Sequence, residues 1–219
     1  TLGIQRLRKT LQLSPKYKPA FDLLLKTFLS QKANNEAREL IMEGIEKFGH
    51  RPELFRELCK LDSTDGYLPQ AVKNCTESIS LSRDYPDHYV YLMQTYHDQK
   101  EDKKAEKVAV QAAKKFPNSE FVQWASGRLF LERKNYPVAS RYFKAAIRAK
   151  ADSGRAQFGL AQALFEQGDH ENALEPFSKA CKWDMSTVDA FFAAAGKLKQ
   201  SGNTALGAKF QQAANLWRP

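Results

Sequence analysis

Four ionisable side chains crowd the stretch FGLAQALFEQGDHENALEPF at residues 158–177: Glu166, Asp169, His170 and Glu171. Carboxylates beside an imidazole could hold a divalent metal or perform general acid/base chemistry. Gly168 stands among them, however, and glycine followed by acidic residues also describes a turn opening a helix, where carboxylates suit the positive end of the dipole. That reading accounts for all four without a ligand. His50, His88 and His97 lie at irregular intervals, and no H-E-x-x-H sets two imidazoles on one helical face. The sequence has no G-x-S-x-G elbow, no G-x-x-x-x-G-K-[ST] phosphate loop and no G-x-G-x-x-G fingerprint. No catalytic residue, metal ligand or cofactor is expected, and the chain reads as a non-enzyme.

Cys59, Cys75 and Cys181 form no C-x-x-C pair and are too few for a disulfide framework, so reduced core thiols are expected. The 219 residues suffice for a sizeable core. No apolar run reaches the length of a transmembrane segment. With no basic, apolar leader before Thr1, the compartment stays open, the cytoplasm being favoured over the periplasm or an envelope attachment. A net charge of +9 permits an anionic partner. The basic clusters Arg6, Arg8, Lys9; Lys100, Lys103, Lys104, Lys107; and Lys114, Lys115 nevertheless lack the interleaved stacking aromatics that nucleic acid requires, so nucleic-acid binding is disfavoured.

The elements that position these residues follow from self-similarity with a period of 34. One column reads Gly3, Ala37, Ala71, Ala105, Ala139, Ala173, Gly207; another, seven residues on, reads Thr10, Gly44, Ser78, Ala112, Ala146, Ala180, Ala214. Seven residues are two helical turns, so the columns share a face where small side chains let helices approach. Large apolar residues recur at helical spacing, as in Phe21, Leu24, Phe28 and Tyr89, Leu92, Tyr96. Gly66, Gly168 and Gly202 mark turns, and Pro69 and Pro137 open the helices that follow. Pro15, Pro52, Pro86, Pro117 and Pro219 punctuate the joints.

These residues resemble the tetratricopeptide repeat (TPR). Leu160 and Phe191 fit the opening of its first helix, Gly127 and Ala161 its small contact, and Ala139, Phe143, Ala146 with Ala173, Phe177, Ala180 its second helix. The resemblance implies an all-α, right-handed TPR superhelix, an α-solenoid of about thirteen antiparallel helices. Residues 1–17 would be the second helix of a preceding unit, followed by six units at 18–51, 52–85, 86–119, 120–153, 154–187 and 188–219. Three departures carry expectations: Asp62 stands where an aromatic belongs and its helix is expected to end early; Cys75 and Ala109 replace second-helix aromatics; and Pro176 should bend its helix.

Function is sought in what the repeat does not need. The first-helix stripe that would face the inside of the superhelix turns aromatic toward the C-terminus, and the expected partner-binding groove is Tyr91, Gln94, His97, Trp124, Arg128, Phe158, Gln162, Phe165 and Phe192. A protein or peptide ligand is the expected partner, as an extended or helical segment. The stripe has no asparagine, unlike the TPR domains that clamp C-terminal carboxylates. The alternative is an assembly or regulatory module of a larger complex, for example a bacterial envelope or pilus-assembly factor, acting through its basic exterior. An uncovered first helix would also invite self-association.

Overall fold

A computed structural model describes residues 2–218. Among them are thirteen α-helices and one 3-10 turn, with no strand. The chain divides into two compact units between Asp102 and Lys103. The first unit contains α1 (Leu2–Leu13), α2 (Lys18–Ser30), α3 (Asn34–Phe48), α4 (Pro52–Thr64), α5 (Leu68–Leu81) and α6 (Pro86–Asp98). Helix α7 (Asp102–Lys115) opens at the division, and the second unit continues with α8 (Glu120–Glu132), α9 (Tyr136–Ala149), α10 (Gly154–Glu166), α11 (His170–Trp183), α12 (Val188–Gln200) and α13 (Thr204–Asn215). Pro219, expected at a joint, lies outside the described residues.

Each hairpin closes through the same turn. The backbone enters the left-handed region at residues 32, 66, 100, 134, 168 and 202, one every 34 residues. The next N–H then reaches back five residues, as Asn135 does to the Phe130 carbonyl and Asp169 to that of Leu164, both at 2.9 Å or less, satisfying carbonyls the helix leaves open. Glycine fills this place at 66, 168 and 202, whereas Lys32, Lys100 and Lys134 adopt it at a steric cost. Proline occupies the first turn of α2, α4, α5, α6 and α9, where no N–H is needed.

The small columns sit where helices cross. Ala37, Ala71, Ala105, Ala139 and Ala173 have no solvent exposure. A methyl on Gly44 would fall 2.4 Å from the Phe21 ring, so no larger residue fits that crossing. Gly3 is the exception, being exposed with nothing within 4 Å. In the first unit Leu11, Phe21, Leu24, Phe28, Ile41, Phe55 and Leu58 form one core.

Two expectations fail in α4. Cys59 and Cys75 are disulfide-bonded rather than reduced, their Cα atoms 5.0 Å apart. They occupy facing positions of one helical hairpin, the small-residue place of the first helix and the aromatic place of the second, so hairpin closure brings the sulfurs together. Cys181 stays free and buried. Helix α4 also does not end early but runs through Thr64. Asp62, 2% exposed, accepts hydrogen bonds from Arg38 Nε at 3.0 Å and Asn74 Nδ2 at 2.7 Å, so its carboxylate is satisfied inside the helix pair. In the second unit α11 continues through the buried Pro176 as a single helix.

Candidate functional site

The first helices of the second unit, α8, α10 and α12, carry the expected stripe. Their buried residues, such as Val122, Ala125, Leu129 on α8 and Ala156, Leu160, Ala163 on α10, recur at helical spacing on one flank. The opposite flank keeps Trp124, Arg128, Phe158, Gln162, Phe165 and Phe192 half-buried. These rings are therefore neither core nor free surface.

Cations lie over three of them, Trp124, Phe165 and Phe192. The Arg155 guanidinium lies 4.4 Å from the Trp124 ring centroid, and Arg128 lies 5.2 Å from the same ring. Phe121 stacks beside Trp124 at 6.2 Å and also receives Arg155. Arg155 is fixed by Glu120, which accepts its Nε–H at 2.8 Å and its Nη2–H as a second bond, while Ser153 Oγ donates to the same carboxylate. Burial alone would raise the Glu120 carboxyl; the hydrogen bonds from Arg155 and Ser153 outweigh it and hold the group below its ordinary range. The guanidinium is thus set in one orientation before any ligand arrives. Lys197 repeats the arrangement over Phe165 at 5.9 Å while bonding Glu166 at 3.4 Å. Arg218 caps Phe192 at 4.3 Å. Such contacts contribute roughly 0.5–2 kcal/mol each according to their desolvation.

The structure brings some of the expected residues together. Trp124 and Arg128 form one sandwich with Arg155. Gln162 and Phe165 line a cleft of about 150 Å³ with Phe177, Ala190, Ala194 and Lys197. Phe158 turns its edge to Phe177 at 6.1 Å, and Phe165 touches Phe177 and Phe210, which lie in the inner aromatic cluster with Phe191. Tyr91, Gln94 and His97 belong to α6 in the first unit. There burial, with Asp87 and Glu57, raises the Tyr91 phenol, and His97 Nδ1 lies 3.4 Å from an Asp102 oxygen. Sequence reasoning overlooked Phe121, Arg155, Lys197 and Arg218. For Arg155 and Lys197 the missed signal was a cation on one first helix facing the ring of the first helix before it.

The acidic cluster at the fifth turn is structural in its contacts. Gly168 takes φ +88°, and Asp169 precedes α11 and accepts from Asn172 Nδ2 at 2.9 Å. His170 packs its ring 4.7 Å from Phe165, and Glu166 points to Lys197. Among the described residues no three His, Cys, Asp or Glu side chains gather in a metal-binding group.

Residues 125–186 match the family model described as tetratricopeptide repeat. No curated protein matches the chain in sequence. Among solved structures, PilF of Pseudomonas aeruginosa is 14% identical with a TM-score of 0.71, covering 90% of each chain. YrrB, described as a TPR protein with an unusual peptide-binding site, is 18% identical with a TM-score of 0.63 over 84% of this chain and 94% of its own. MamA from Desulfovibrio magneticus is 17% identical with a TM-score of 0.61 over 76% and 94%. At these identities the likeness is one of fold.

Proposed function

We propose that this chain, a solenoid of tetratricopeptide repeats in fold, is a non-catalytic scaffold that holds a segment of a partner protein against the first helices of its second unit. The observation that carries the reading is the row of half-buried rings on α8, α10 and α12, Trp124, Phe158, Phe165 and Phe192, which keep part of their surface open although Phe158 and Phe165 also pack on Phe177. Rigid aromatics with fixed donors are the composition of binding hot spots. Arg155, locked by Glu120, presents a prearranged planar donor beside Trp124, and the Gln162 amide can pair with a ligand backbone. That YrrB, of similar fold, is described as having a peptide-binding site supports a peptide-binding role in general.

The test is capture of partners from native extract by the chain and by Trp124→Ala/Phe158→Ala. Loss of capture with unchanged helical circular dichroism supports the site; full capture by a well-folded double variant rejects it. Because Phe158 touches Phe177, Trp124→Ala alone is the control for altered packing.

One observation favours a second reading, in which the basic exterior anchors the chain in a larger assembly. The second unit holds 19 Lys and Arg against 10 Asp and Glu, the first unit 15 against 15. Steeply salt-dependent capture that ignores Trp124 and Phe158 would select it. The Cys59–Cys75 bond is chemistry of oxidising compartments, which argues for a periplasmic or extracellular site over the cytoplasm. Alkylation of protein extracted without reductant would decide: two blocked cysteines support that placement, three reactive ones the cytoplasm.

A further inference from the structure

The corners that join each second helix to the next first helix in the second unit lie side by side. Glu120, after the first corner, binds both Ser153 and Arg155 at the next. Gly154 in turn lies so near the third that a Cβ there would come within 2.9 Å of the Trp183 Cβ. These contacts make one continuous edge from the end of α7 to the end of α11.

Cations occupy every corner of that edge. Lys115 lies over Phe116 at 5.6 Å, and Lys182 repeats the pair over Trp183 at 5.1 Å. Arg148 and Lys150, exposed, stand between them. A helix C-terminus favours positive charge, so the dipole alone explains the lysines. It does not explain Trp183 and Met185, which hold 51% and 50% of their surface in water within the corner after α11. Of the acidic groups along the edge, Glu120 is paired with Arg155 and Asp152 lies within 4.0 Å of Lys150, whereas Asp184, whose oxygen accepts from the N–H and hydroxyl of Ser186, and the exposed Asp189 keep their charge. Lys114, Lys115, Arg148, Lys150, Arg155 and Lys182 outnumber these carboxylates, so the edge is cationic on balance, with apolar tips.

We propose that this edge docks the second unit on an anionic lipid bilayer, with Trp183 and Met185 at headgroup depth and Arg148, Lys150 and Lys182 against lipid phosphates. Exposed indole and thioether beside lysine is the composition of an interfacial anchor, and anionic leaflets attract clustered Lys and Arg. Nucleic acid would use the cations but gives Met185 no role, and Lys182 already covers the Trp183 ring on which a base would stack. No helix among the described residues is long and apolar enough to cross a membrane, so the contact would be peripheral. The edge shares Glu120 and Arg155 with the first-helix row, but Trp183, Met185, Arg148, Lys150 and Lys182 lie outside that row, so the docking stands whether or not the row binds a peptide.

The experiment is sedimentation of the whole chain with phosphatidylcholine vesicles and with vesicles that also contain phosphatidylglycerol. The chain is expected to pellet with the anionic vesicles alone and to be released by high salt. Trp183→Ala/Met185→Ser should lower the partition about ten-fold through lost apolar burial. Arg148→Glu/Lys182→Glu should abolish it, and because all four positions are exposed, circular dichroism should not change. The proposal is overturned if anionic vesicles leave the chain in solution, or if binding ignores Trp183 and Met185, which would assign it to diffuse charge. Tighter binding of a single-stranded oligonucleotide, lost in the Arg148/Lys182 variant, would also overturn it and give the edge to nucleic acid.

Discussion

The hairpins α4–α5 and α8–α9 place residues at matching positions and fasten them with different chemistry. In the first, Cys59 and Cys75 are joined covalently, and one step along Asp62 accepts a hydrogen bond from Asn74 at 2.7 Å. In the second, the place of Cys59 is Gly127 and that of Cys75 is Phe143, whose ring lies so close that a Cβ on Gly127 would come within 2.8 Å of it. The place of Asp62 is Phe130 and that of Asn74 is Tyr142, and these two rings stack at 5.4 Å. The repeat thus dictates which positions meet and leaves open what they do on meeting. A disulfide with a buried acid–amide pair makes one closure; glycine against phenylalanine beside stacked rings makes the other.

The largest test of this comparison is Phe143→Ala. The side chain is 1% exposed and would also lie 2.4 Å from a Cβ on Gly159, so it fills the space between α8, α9 and α10. Its removal leaves a cavity and should cost about 3–5 kcal/mol. Trp124, Trp183 and Trp217 all lie in the second unit, so indole fluorescence in a urea titration reads that unit's loss. An unchanged fluorescence midpoint would mean that the hairpin is held elsewhere.

Next in size is Cys59→Ser/Cys75→Ser. Cross-linking residues 16 apart restricts the unfolded chain, and its removal should cost about 3 kcal/mol. The loss is expected in amide exchange of the first unit, with the fluorescence midpoint of the second unmoved. Equal movement of both would break the comparison, because the closures would then not be local.

Acid should sharpen the contrast further. His88 is 1% exposed, and its Nδ1 lies 3.0 Å from Ser78 Oγ. The Ser78 hydroxyl spends its proton on the Pro52 carbonyl at 2.7 Å, so Nδ1 must be the donor and Nε2 carries a lone pair in a site that offers it no partner. Protonating Nε2 would bury a charged N–H without an acceptor. Burial pushes this imidazole down; Asp87 opposes and Arg56 assists the shift, and Tyr85 stacks on the ring. A folded-state value below the unfolded one means full stability above about pH 6.5, lost as pH falls toward and through the folded value. The first unit should therefore lose a few degrees of thermal midpoint between neutrality and mild acid, and His88→Leu should flatten that dependence. Asp65, held low by its hydrogen bond from Arg38, extends the loss below about pH 4, where Glu120 first adds a matching term in the second unit. A mild-acid response equal in the His88→Leu variant would remove His88 as its source.

The fold was legible because small residues at a fixed period report helix crossings wherever they fall, as Ala139 and Ala146 do. Pair chemistry was not legible. Cys59 and Cys75 are 16 residues apart, a spacing with no meaning until one knows that positions eight and twenty-four of the repeat face each other. Asp62 looked like a helix breaker because its partners, Arg38 and Asn74, come from α3 and α5. The stripe on α8, α10 and α12 was visible as aromatics, but not the cations above them, since Arg155 lies 31 residues from Trp124 in sequence and 4.4 Å from it in space.

The smallest expected effect compares turns rather than hairpin cores. The turn after α8 uses Lys134 at φ 59°, whereas the turn after α4 uses Gly66 at φ 81°. A side chain in the left-handed region carries strain that glycine avoids, partly offset by glycine's greater freedom when unfolded. Lys134→Gly should therefore stabilise the second unit by about 0.5–1 kcal/mol, and Gly66→Lys should destabilise the first by a similar amount. Lys134 is exposed, so the change removes little packing. If Lys134→Gly instead destabilised, its methylenes would be supporting the turn by more than its backbone strains it, and the period-34 turn would be held by side chains as well as by the Asn135 to Phe130 hydrogen bond.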